Sequence, residues 1–68
     1  METREHIQEA IRLAGSEAKL GKATGYSQHA IWKAKRRGSV TPEMALAIER
    51  AVGVRKEILR PDIFGAAA

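Results

Sequence analysis

The sequence predicts an all-α fold, a compact bundle of four to five short helices. Three observations carry this expectation. Apolar residues recur at i, i+3, i+4, i+7 spacing in successive segments. Those segments are bracketed by a capping residue before and a glycine after. β-Branched residues are scattered and never alternate, so strand signals are poor.

The elements follow in order. Ile7, Ala10, Ile11 and Ala14 form the stripe of a first amphipathic helix, with Thr3 as its expected N-cap and Gly15 just past its end. Ser16 caps a second helix, whose Glu17 suits the positive end of the helix dipole. That helix turns Leu20 and Ala23 inward and ends near Thr24-Gly25. Gly25-Tyr26-Ser27 reads as a tight turn, in which Gly25 supplies the positive φ and Ser27 caps a third helix running to about Arg37. Gly38 ends it. Thr41-Pro42-Glu43 starts a fourth helix with a cap, a proline at the first position and an acid in the first turn. This helix carries Met44, Ala47, Ile48 and Ala51 and stops at Gly53. Arg55 to Leu59 allows one more short turn, and Pro61 argues against a regular element beyond it. The expected core is Ile7, Ile11, Ala14, Leu20, Ala23, Ile31, Ala34, Met44, Ile48, Val52 and Ile58.

A chain of 68 residues is one domain at most, expected over residues 1–64, with a frayed tail at 65–68. Without cysteine it has neither a disulfide framework nor a thiolate metal site. The charged start Met1-Glu2-Thr3-Arg4-Glu5-His6 has no apolar run behind it, so no signal peptide is expected. No stretch approaches the ~20 apolar residues of a membrane span. The expected compartment is the cytoplasm, at the bacterial nucleoid. His6 and His29 have no third ligand in view, and no Ser/His/Asp set or Gly-Lys-Ser phosphate loop stands out. No cofactor, metal, small-molecule substrate or enzymatic activity is expected.

The net charge is +4 and unevenly spread. No acid lies between Ala18 and Pro42, a window holding Lys19, Lys22, Lys33, Lys35, Arg36 and Arg37. A purely cationic middle between mixed ends suits a polyanion, although a solvated basic face would look the same.

Glu17 to Arg36 has the pattern of a helix-turn-helix. Leu20 anchors the first helix, Gly21 occupies a crowded crossing where only Gly or Ala fits, and Gly25 makes the turn. Ile31 and Ala34 lay the second helix onto the first. A short turn fixes the pair at about 90–120°, which lets the second helix enter a DNA major groove while the first crosses the backbone. At about 100° per residue from Ile31, Ala30 and Ala34 fall on the core side. Gln28, His29, Trp32, Lys33 and Arg36 fall on the other and are the candidate base contacts. Gln matches adenine and Arg or Lys matches guanine. Trp32 suits a thymine methyl or a sugar edge, a dimer contact, or the core of a rotated helix. Ser16, Lys19, Lys22, Ser27, Lys35, Arg37 and Ser39 are the candidate phosphate contacts, because hydroxyls and helix N-termini point at phosphates and lysines neutralise them.

Gly25-Tyr26-Ser27-Gln28-His29-Ala30-Ile31-Trp32-Lys33-Ala34 resembles the turn and recognition helix of phage Cro repressors, most visibly at Gly25, Gln28, Ala30, Ile31, Lys33 and Ala34. Gly15-Ser16-Glu17-Ala18, Thr41-Pro42-Glu43, Ile48-Glu49-Arg50-Ala51 and Leu59-Arg60-Pro61-Asp62-Ile63-Phe64 resemble the prophage-encoded, Cro-like YdaS family. The resemblance covers about residues 7 to 64. It implies a lambda-repressor-like fold and binding to operator DNA. The chain departs from the pattern at Thr24, usually apolar, at Tyr26, usually valine, at Trp32, commonly small and polar, and at Ala34, often large and apolar. These departures bear on the angle between the helices and on the site read.

The leading expectation is a sequence-specific transcriptional regulator, a Cro-like prophage repressor that occludes an operator. One such module buries about 600–1,000 Å² on DNA, so a weak homodimer formed or strengthened on double-stranded DNA is expected. Ile63 and Phe64 are the expected exposed apolar pair for it. The alternative is an antitoxin-like protein whose main partner is a toxin or another protein. An RNA-binding reading has only Tyr26, Trp32 and Phe64 for stacking.

Overall fold

Local capping chemistry divides residues 3–65, which the computed structural model describes, into six helices. They are α1 (Thr3–Ala14), α2 (Glu17–Thr24), α3 (Gln28–Arg37), α4 (Pro42–Val52), α5 (Lys56–Leu59) and α6 (Pro61–Phe64). Three begin on a hydroxyl. Ser16, Ser27 and Thr41 take extended backbone, and each side-chain oxygen accepts from the N–H three residues on, at Lys19, Ala30 and Met44. Each cap satisfies one of the donors that a helix start leaves open. Thr3, the expected first cap, is instead the first residue of α1.

The helix ends are closed by the chain itself. Gly25 adopts φ 83°, and the N–H groups of Gly25 and Tyr26 both donate to the Gly21 carbonyl. Gly38 and Ser39 do the same to Ala34. The Tyr26 and Ser39 bonds are the six-to-one bonds of a Schellman-type end, which closes a helix and reverses the chain in two residues.

Ile7, Ala10, Leu20, Ile31, Ala34, Val40, Met44, Ala45, Ile48, Val54 and Leu59 are buried together. Helix α2 lies at the centre, against α1, α3 and α4, while α5 closes the far side against α1 and α4. Leu20 is fully buried, and the Cβ that Gly21 lacks would lie 2.6 Å from the Tyr26 carbonyl oxygen. The turn backbone therefore rests directly on α2. Alanine does not fit there either, which narrows the sequence expectation to glycine alone.

Several core assignments change. Ala23 is exposed, because α2 turns the side bearing Leu20, Gly21 and half-buried Thr24 inward and Ala23 falls off that arc. Ile58 is exposed and its neighbour Leu59 is buried. A single turn is too short for periodicity to fix its phase. Ile11, Ala14 and Val52 are partly buried against the core. The helices number six, because Pro61 begins a last turn instead of preventing one: at the first helical position its missing N–H costs nothing. Phe64 is half-buried against the core, so it forms no exposed pair with Ile63, which stands half in solvent. Of the expected frayed tail, residues 66–68 lie outside the described residues.

Among the described residues no helix is long and apolar enough to cross a membrane.

Candidate nucleic-acid interface

Helix α3 is held on three sides and bare on the fourth. Ile31 and Ala34 bury one face in the core. At its start, Ser27 caps it and the Gly21 contact seats it on α2. At its end, Arg4 reaches across from α1 and donates from Nε to the Lys35 carbonyl and from Nη2 to the Arg36 carbonyl, both at 3.1 Å. A guanidinium suits this place, since the last carbonyls of a helix lack partners and carry partial negative charge. Lys35 Nζ meets Glu17 Oε2 at 2.7 Å, a partly shielded pair that ties the last turn of α3 to the first of α2.

Four of the five candidate base contacts lie on the bare side, and the fifth, Gln28, stands at the start of the helix. Gln28, His29, Trp32, Lys33 and Arg36 are exposed. Gln28, about 60° from Ile31 on a helical wheel, falls within the arc of the core and not opposite it as expected, and is exposed as the first residue of α3. Three of these side chains are ordered on one another. The rings of His29 and Trp32 stack with centroids 5.6 Å apart and planes 19° from parallel. The Arg36 guanidinium carbon lies 5.4 Å from the Trp32 ring centroid. Trp32 is 39% exposed, which rules out the core position of a rotated helix.

The phosphate candidates divide by what already holds them. Lys19 and Lys22 are exposed on α2. Ser16 and Ser27 accept backbone N–H bonds as caps, which leaves each hydroxyl hydrogen free to donate. Arg37 Nε donates to Ser39 Oγ at 3.3 Å, and both residues are exposed. Lys35 is engaged by Glu17, so a phosphate would have to compete with that carboxylate.

Two supporting arginines escaped the sequence reading. Arg4 lies 31 residues from the carbonyl it serves, and no local signal marks it. Arg60 donates from Nη1 to the Val40 carbonyl at 2.8 Å and pairs with Asp62 through two further bonds, at 3.0 and 2.7 Å. This fixes the loop between α3 and α4 from the C-terminal side. The arginine holds the Asp62 carboxyl below its usual range, chiefly by hydrogen bonding.

The family model described as "Bacterial toxin YdaS" matches residues 7–68. Among solved structures, the chain is similar to the Cro protein from putative prophage element Xfaso 1 in Xylella fastidiosa strain Ann-1. The two are 37% identical, the match covers 97% of this chain and 100% of that one, and the TM-score is 0.82. No curated protein matches the chain. With a family match running from Ile7 to the last residue, and a prophage Cro protein superposing over its whole length, this chain belongs to the Cro-like YdaS family.

Proposed function

We propose that the chain is a sequence-specific DNA-binding regulator of prophage origin, which represses by occupying an operator with α3 in the major groove. The observation that carries the reading is the bare side of α3. A helix fixed at both ends and buried on one face presents Gln28, His29, Trp32, Lys33 and Arg36 to solvent together. Any helix buried on one face exposes the other, and what suits this one to DNA is that these exposed residues are a glutamine, a histidine, an indole and two cations, with no carboxylate among them. Lys19, Lys22, Ser16 and the start of α2 then meet the backbone, which positions the protein without reading sequence. The small face of one module favours two copies on half-sites about one helical turn apart.

A second reading, an antitoxin-like protein, is favoured by Ile58 and Ile63, exposed on α5 and α6. In it the main partner is a protein and DNA binding is secondary.

Fluorescence anisotropy tests the first reading. The protein is titrated against labelled DNA from upstream of its own gene and against scrambled DNA, over a salt series. A preference of about a thousandfold for the upstream DNA, with a steep salt slope, is expected. Weak, equal and salt-sensitive binding to both would overturn it and favour the protein-partner reading.

A further inference from the structure

Trp32 is the one large apolar side chain on the bare side of α3, and its ring is already engaged. His29 stacks on it from the turn before, and Arg36 lies over it from the turn after. Cation–π and stacking contacts of this kind order an indole at low entropic cost. Held by these two contacts, the indole is still 39% exposed and lines a shallow recess with Lys33, Arg36 and Arg37. The surrounding cations draw this exposed apolar surface to DNA.

The major groove offers hydrogen-bond donors and acceptors from every base pair, and a single apolar group, the 5-methyl of thymine. Gln28 and Lys33 match the polar groups. Among the base edges of the major groove, the apolar surface of Trp32 is complementary to that methyl group. We propose that Trp32 is a specificity-determining residue that reads thymine, by packing its indole against the 5-methyl group in the major groove. The inference rests on the regulator reading and adds to it a stated base at a stated side chain.

Uracil differs from thymine only by that methyl. The test replaces each thymine of the bound upstream DNA in turn with deoxyuridine and measures binding by anisotropy. In the wild type, one thymine per half-site is expected to lose about fourfold in affinity on replacement, the share of one buried methyl group. Trp32→Ala is expected to bind the thymine and deoxyuridine forms equally. Gln28→Ala is expected to bind more weakly but keep the fourfold ratio, which separates methyl reading from general weakening. Circular dichroism melting confirms that each variant folds. A flat scan in a wild type that still prefers its upstream DNA would overturn the methyl contact alone. A fourfold ratio that survives in Trp32→Ala would assign the methyl to another side chain. Equal binding to upstream and scrambled DNA would overturn both the contact and the regulator reading.

Discussion

Gly21→Ala sets two known effects against each other, and the structure decides the sign. In an ordinary helix interior the change is favourable by about 1 kcal/mol, because alanine loses less backbone entropy. Here the new Cβ would lie 2.6 Å from the Tyr26 carbonyl oxygen, 3.1 Å from the Ser27 carbonyl carbon and 3.2 Å from the Gln28 nitrogen. All three are backbone atoms, so no side chain can swing aside. The turn and the first residue of α3 must move away from α2. Overpacking of a close-packed site costs about 1–3 kcal/mol, and a rigid backbone neighbour puts the cost at the upper end of that range. The net loss is therefore about 1–2 kcal/mol, or about 4–16 °C in the thermal midpoint of a domain this size. The assay is thermal unfolding by circular dichroism. Because the displaced element is α3, upstream-DNA affinity measured on the folded variant should fall as well. A midpoint that rises would show that propensity wins and that α3 is not seated on α2 as described.

Gln28→Ala should cost about 1–3 kcal/mol at the matched site and relax sequence preference, whereas Lys22→Ala should weaken all DNA alike and lower the salt slope by about one ion. Anisotropy on upstream and scrambled DNA separates the two, and equal weakening by Gln28→Ala would remove it as a base reader. Arg4→Ala removes both side-chain bonds to the last carbonyls of α3 and should cost about 1 kcal/mol in chemical unfolding. An unchanged midpoint would mean that water replaces the arginine without loss. Asp62 gives a pH dependence of known sign. Its folded-state pKa is depressed by Arg60, so the stability it contributes is present above the ordinary aspartate range and is lost as pH falls through the folded value. The midpoint difference between wild type and Asp62→Asn should thus be constant above about pH 6 and shrink below about pH 4. A difference that holds down to pH 3 would contradict the pairing.

What could be read from the sequence follows from how local each signal is. Ser16, Ser27 and Thr41 cap within three residues, and Gly25, Gly38 and Gly53 close helices within four, so residue type and spacing were enough. The buried face of α3 was equally legible from Ile31 and Ala34. Several unexpected core residues have a local signal too. Val40 and Ala45 stand before the cap and at the fourth position of α4, and Val54 and Leu59 stand in the same places on α5. Those are the positions of a hydrophobic staple, and all four are buried. Thr24, which departs from the family pattern, is explained only by the structure. Its hydroxyl donates to the Leu20 and Gly21 carbonyls, at 2.8 and 3.2 Å, and so stays satisfied while half-buried. The supports of the interface were beyond sequence reasoning. Arg4 on α3, Glu17 on Lys35 and Arg60 on Val40 join residues 18 to 32 apart, and nothing in their spacing announces them.

The central claim is that DNA meets the bare side of α3. An NMR titration of the isotope-labelled protein with its upstream DNA tests it most directly, following amide and side-chain shifts. The account predicts that the largest changes fall on residues 27–37, including the Gln28 side-chain amide and the Trp32 indole N–H. Smaller changes should fall on Ser16, Lys19 and Lys22, and α5 and α6 should be little affected. Changes confined to α5 and α6, with α3 unperturbed, would contradict it.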